Sequence, residues 1–218
     1  MARPSRFDIA VIGAGLAVIA SVLVLVAAAP DPLGTTSPAA SVKAAVAAFD
    51  ARHYRTARRI LDPLATAGNA DAETWLGYMD EEGLGAGPDV AQAITWFTKA
   101  SAAGSAKADR RLGQIYLDGR GILQNVATAR QWLELGAKRG DAPSQRMLGE
   151  LFMRGIGVQK DPAQAYAWLA IAASQGDKMA AHERDALLPS LPPSTMSHAE
   201  YLAQQTQASI AAPPAAKS

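Results

Sequence analysis

SAKADRRLGQIYLDGRGILQNVATARQWLELGAKRG, residues Ser105–Gly140, is the middle of three copies of one pattern, spaced 36 residues apart between Asn69 and Asp177. Sliding the chain by that offset lays Leu76-Gly77 on Leu112-Gly113 and Leu148-Gly149. It also lays Gly83 and Gly85 on Gly119 and Gly121, then on Gly155 and Gly157. Trp96 falls on Trp132 and Trp168, and Gly104 on Gly140 and Gly176. Composition alone does not align so many residues at one offset. A fixed period of this length marks stacked supersecondary units, each burying its neighbour's apolar flank.

Within each copy the signals specify two helices. Asn69, Ser105, Asp141 and Asp177 are favoured N-caps, because their side chains accept hydrogen bonds from free N–H groups in the first turn. Apolar residues then recur on one face, as at Ala108, Leu112, Ile115 and Tyr116. Gly83, Gly119 and Gly155 stop this first helix in the left-handed conformation. Asp89, Asn125 and Asp161 cap a second helix, and Pro162 takes the first helical position after Asp161. Its face carries Ala93, Trp96, Phe97 and Ala100, and their equivalents one and two units on. The repeated tryptophans are expected in the core. Gly77, Gly113 and Gly149 inside the first helix imply a neighbouring backbone too close for a side chain, since interior glycine costs about 1 kcal/mol against alanine.

The motif A-x-x-x-L-G-x-x-Y-x-x-G-x-G, a short loop, Asp, then A-x-x-W and a closing Gly resembles the Sel-one-like repeat (SLR), a relative of the tetratricopeptide repeat. Ala108, Leu112-Gly113, Tyr116, Gly119, Gly121, Trp132 and Gly140 carry the match. The first unit departs from it, with Asp80 where Tyr116 and Phe152 stand. The fold class expected is all-α: an α-α superhelix, a solenoid of helix-turn-helix repeats of about 36 residues, preceded by one N-terminal transmembrane helix. Some relatives with several cysteines per repeat are secreted and bind or slowly turn over β-lactams; a chain without cysteine does not inherit that.

Around the repeats the chain divides into a cytoplasmic stub and apolar segment (1–29), a linker (30–40), and an atypical N-terminal helix pair (41–68). Repeats at 69–104, 105–140 and 141–176 follow, then C-terminal capping helices (177–210) and a disordered tail (211–218). In the N-terminal pair, Pro63 is expected to kink or shorten the second helix. In the C-terminal region Arg184 replaces Leu148, and His182, Glu183 and Asp185 surround it, the polar face a terminal unit needs. Ser197-His198-Ala199-Glu200 has the capping-box form and is expected to open the last helix, to about Ile210.

Ile9–Ala29 is 21 residues without a charge. As a helix it spans about 31 Å, the thickness of a bilayer's hydrocarbon core. Arg3 and Arg6 precede it and the next basic residue is Lys43, which puts the N-terminus in the cytoplasm and the repeats in the periplasm. The alternative is a cleaved signal peptide and a periplasmic or secreted protein. Phe7–Gly15 imitates the start of a dinucleotide fold, but Val18 fills the third glycine position, and the chain stays apolar to Ala29 and enters Asp31-Pro32-Leu33-Gly34 with no second strand.

Lys and Arg total 21 against 20 Asp and Glu, a balance without the basic footprint that nucleic-acid binding requires. No cysteine is present and His53, His182 and His198 are isolated, so neither a disulfide nor a metal site is expected; nor is a cofactor or a catalytic set. By analogy with the family, the first helix of each pair lines the groove. That nominates Glu73, Trp75, Tyr78, Arg110, Arg111, Gln114, Gln145, Arg146 and Glu150 for partner contact. A solvated helix surface, with Trp75 buried between units, is the competing reading. The resemblance implies a non-enzymatic scaffold for protein partners in the bacterial envelope, and the run Ile9–Ala29 adds the expectation that it is membrane-anchored and periplasmic. A peptidoglycan or glycan-fragment binder that positions cell-wall enzymes is one alternative, and a weak cell-wall-type hydrolase another.

Overall fold

The computed structural model describes residues 38–211; the expected membrane segment Ile9–Ala29 and the tail beyond Ala211 lie outside them. Among the described residues there are ten α-helices, one short 3-10 turn and no strand, and no helix is long and apolar enough to cross a membrane. The helices are α1 (Pro38–Asp50), α2 (Tyr54–Thr66), α3 (Ala70–Glu82), α4 (Val90–Ala102), α5 (Ala106–Asp118) and α6 (Val126–Lys138). After them come α7 (Ala142–Arg154), α8 (Pro162–Ser174), α9 (Lys178–Leu187) and α10 (Pro193–Ala211). Neighbours pack in chain order from α1 to α9, as in a solenoid.

The local chemistry explains the boundaries. Asn69, Ser105, Asp141 and Asp177 each accept a backbone N–H three residues on, and Asp89, Asn125 and Asp161 do the same for the second helices. Gly83, Gly119 and Gly155 adopt φ of 70°, 68° and 71°, where an L side chain would be strained, and end the first helices. Each loop then closes by one backbone bond across the pair: Asp89 N to Asp80 O, Asn125 N to Tyr116 O, Asp161 N to Phe152 O.

Several expectations are corrected by the packing. A Cβ on Gly77 would lie 2.7 Å from the Phe97 ring, and one on Gly113 2.7 Å from Leu133. The close neighbour is therefore chiefly a partner side chain, with backbone second (Ala129 O is 3.3 Å from that Gly113 Cβ). Those partners are the inner knobs: Phe97, Leu133 and Leu169 are each 0% exposed. Of the tryptophans one position earlier, Trp168 is buried, but Trp96 and Trp132 are only half-buried. They lie at the edge of clusters shared with the preceding unit instead, Trp96 against the one that holds Leu61 and Leu76, Trp132 against the one that holds Ala93 and Ile115. Lys99 sits 4.4 Å from the Trp96 ring on its wet side.

The flanks differ too. Pro38, Ala39 and Ala40, read as linker, form the first turn of α1, where a leading proline costs no hydrogen bond. Despite Pro63, α2 keeps the 13 residues of its neighbours, because the ring falls in the last turns and removes only the bond to Arg59 O. The last helix starts at Pro193, not Ser197; the Ser197 hydroxyl bonds back to Pro193 O from inside the helix. Helix α10 docks on α8, burying Ala199 and placing Ile210 against the Trp168 and Ile171 cluster. On α8 the covered outer face is Ala163, Ala167 and Ile171, all buried; one unit earlier the same positions are Ala127, Gln131 and Leu135, exposed or half-exposed.

Candidate functional site

The first unit's departures from the repeat have partners. Asp80, standing where other units carry an aromatic ring, accepts a 2.5 Å bond from Arg58 on α2 and ties the N-terminal pair to α3. Glu81 is buried and bound from the next unit by Arg111 at 2.7 Å and Arg120 at 3.4 Å. Burial pushes the Glu81 carboxyl above its ordinary range while the two guanidiniums pull it down. Sequence reasoning noted Asp80 as a departure without giving it a partner and missed Glu81; the run Asp80-Glu81-Glu82 at a helix C-terminus, where the dipole disfavours acids, was the available signal.

Several nominated residues turn out to be joints between units. Arg110 Nη1 bonds both oxygens of Asp141 at 2.8 and 3.1 Å, and Arg146 reaches Asp177 at 3.4 Å, each clasping the N-cap of the following unit. Thr74 makes the same link to Ser105 by a 3.0 Å hydroxyl pair. Arg146 also pairs with Glu150 one turn on. Gln145, nominated for contact, is 0% exposed: it donates to Ala137 O at 3.1 Å and accepts from Gln175 at 2.8 Å. Its equivalent Asp109 is bound by Arg139 at 2.6 Å, and that residue corresponds to Gln175. Glu73, the third equivalent, is 5% exposed, with Ala103 where the others have a long side chain. Its Oε2 is buried without a hydrogen-bond partner among the described residues, and burial raises its carboxyl, opposed by Lys99. Helix periodicity places these three on one stripe with the groove residues; only packing shows that they face the interior.

The remaining nominees converge. Trp75, Tyr78, Arg110 and Arg111 line a cleft of about 360 Å³ between the first helices α1, α3 and α5, completed by Phe49, Asp71, Thr74, Phe97 and Lys107. Gln114 lies beside it, accepting from Arg111 at 3.3 Å and reaching the Met147 sulfur at 3.8 Å. The rings are mutually tilted: Phe49 lies 5.0 Å from Trp75 at 55°, and Trp75 lies 6.2 Å from Tyr78 at 89°. Arg111 sits 5.3 Å from the Tyr78 ring, held there by Glu81. Trp75 packs against the core cluster and also lines the cleft.

Comparison with known proteins agrees with the repeat fold. Residues 70–105, 106–141 and 142–177 each match the Sel1 repeat. A Sel1 repeat protein from Oxalobacter formigenes is 31% identical with a TM-score of 0.62, the match covering 66% of this chain and 59% of that one. This chain therefore spans less than two thirds of that protein's length. An SLR-fold protective antigen of uropathogenic Escherichia coli is 24% identical over 74% of this chain and 45% of its own, with a TM-score of 0.49. No curated protein matches the chain.

Proposed function

This is a Sel1-repeat protein, and on that premise we propose that it is a non-catalytic scaffold, anchored in the bacterial inner membrane by Ile9–Ala29, whose repeats bind a protein partner in the periplasm. The observation that carries the binding role is the open cleft across α1, α3 and α5. The Phe49, Trp75 and Tyr78 rings in it are only half-buried, and its Lys107 side chain makes no ion pair or hydrogen bond among the described residues. Apolar surface left wet beside convergent charge is how interaction sites differ from ordinary surface. The membrane and periplasmic parts rest on the uncharged run and the arginines before it.

A photo-crosslinking amino acid at Gln114, in membranes of cells making the full chain, tests the binding role. A discrete protein adduct is expected from Gln114 and not from the exposed Gln131 on α6. Equal labelling from both positions refutes it. Paired periplasmic and cytoplasmic reporter fusions beyond residue 40 test the topology, with activity expected from the periplasmic reporter alone.

A further inference from the structure

The cleft has a polarity that narrows what fits it, an argument that rests on the protein-binding reading above. Its aromatic floor is peculiar to one unit: Trp75 stands where later units have Arg111 and Met147, and Tyr78 where they have Gln114 and Glu150. The neighbouring unit supplies the opposite rim, with Lys107, Arg110 and Arg111 facing the rings and Asp71 the sole acid lining the cleft. Arg110 spends only Nη1 on Asp141, so Nε and Nη2 remain, and Asp141 fixes the plane in which they point. Lys107 is exposed and uncommitted. Phe49 and Trp75, tilted by 55°, and Trp75 and Tyr78, at 89°, are in contact and form one angled wall, not the flat platform on which a sugar ring lies; an aromatic ring laid against that wall meets one of its members edge to face, an arrangement such pairs prefer.

We propose that this cleft is a socket for an acidic peptide segment of a partner protein, receiving one aromatic side chain against the cleft-facing sides of Trp75 and Tyr78 while flanking carboxylates meet Lys107 and Arg110. The volume of about 360 Å³ accommodates one large side chain and adjoining backbone. The prepaired guanidinium of Arg110 lowers the ordering cost of carboxylate recognition. Binding of this kind weakens with salt, because Lys107 lies at the exposed edge.

The test uses the full-length chain in detergent micelles and a fluorescein-labelled peptide, Gly-Asp-Glu-Phe-Asp-Glu-Gly, read by anisotropy. Two control peptides carry lysine for every acid, or alanine for the phenylalanine. Binding of the first peptide is expected to be roughly tenfold or more tighter than that of either control. Lys107→Glu is expected to weaken it by about the same factor with an unchanged circular dichroism spectrum and Tm, since Lys107 holds nothing together. Equal binding of the three peptides, or an unaltered affinity in Lys107→Glu, overturns the proposal. So does displacement of the peptide by an N-acetylglucosamine tetrasaccharide, which assigns the cleft to glycan instead. Adducts from Gln114 that persist when peptide selectivity fails leave the scaffold standing and remove only this socket.

Discussion

Replacing Arg139 by glutamine is expected to destabilise the repeat array, and the next unit shows how to repair the damage. Asp109 is 0% exposed and receives its strong bond, 2.6 Å long, from Arg139, whose own side chain is 29% exposed. Removing one partner of a buried pair costs about 3–5 kcal/mol when both ends are dry. Water reaches the arginine end here, so about 2–3 kcal/mol is the better figure. For a folded unit of this size that corresponds to a fall in Tm of about 5–10 °C. The equivalent site one unit on is neutral, with Gln145 accepting from Gln175 at 2.8 Å and donating to Ala137 O. Asp109→Gln combined with Arg139→Gln copies that arrangement, with Ser101 O in the place of Ala137 O, and is expected to return to within about 1 kcal/mol of the parent. Urea unfolding followed at 222 nm reads all three proteins. The pH dependence has a definite sign: burial raises the Asp109 carboxyl, opposed by Arg139, so its contribution is favourable in acid and lost as pH climbs through the folded value. Without the guanidinium that loss deepens. A single variant within about 0.5 kcal/mol of the parent, or a double variant no better than the single, refutes the account.

Trp168→Ala is expected to cost about 3–5 kcal/mol, against about 1–2 kcal/mol for Trp96→Ala, whose ring is half in water; unfolding curves separate the two. Gly121→Ala combines a φ of 63° with a Cβ 2.9 Å from Val90, and is expected to lower stability by about 2 kcal/mol, part of it restored by Val90→Ala. Ala199→Asp puts a charge at a fully buried contact and is expected to release α10, seen as rapid proteolysis within Pro193–Ala211 while α3–α8 survive. Burial, then the facing Glu150 carboxylate, raises Glu183 above 4.5, so the stability it contributes is present below that value and lost as pH rises through the folded one. Glu183→Gln is expected to flatten the dependence of Tm on pH across that window.

The signals most legible in the sequence were local ones. Asn69 or Asp161 needs only its own next turn to act as a cap, and Gly119 only its own φ. What was hidden depended on which of two adjacent side chains a neighbour selects. Trp96 and Phe97 look equally fit for a core, yet the opening above Gly77 admits Phe97 and leaves the larger ring on the outside of the joint. The start of α10 was misplaced because Ser197 offers a good cap in isolation, whereas Pro193 and the apolar outer face of α8 reward an earlier start. The even distribution of apolar residues around α8, PAQAYAWLAIAAS, was an unused signal of a helix covered on both sides. For the cleft, Trp75, Tyr78, Arg110 and Arg111 were nominated from the sequence for partner contact, and the fold brings these four together. Sequence reasoning passed over Lys107 and Phe49, which come from different units and meet only when the stack forms.

Arrays of near-identical modules carry a hazard: a stretch intended for one slot also fits the next, and a chain can close one period out of step. The stripe at 73, 109 and 145 makes each junction chemically distinct, with a lone acid against alanine, an acid against arginine, and an amide against an amide. A shift by one module would set Gln175 against Asp109, or Arg139 against Gln145, and leave a charge stranded in a dry place. Three otherwise interchangeable seams thus behave as keyed connectors, and the chain settles into one alignment because every other assembles with a key in the wrong lock.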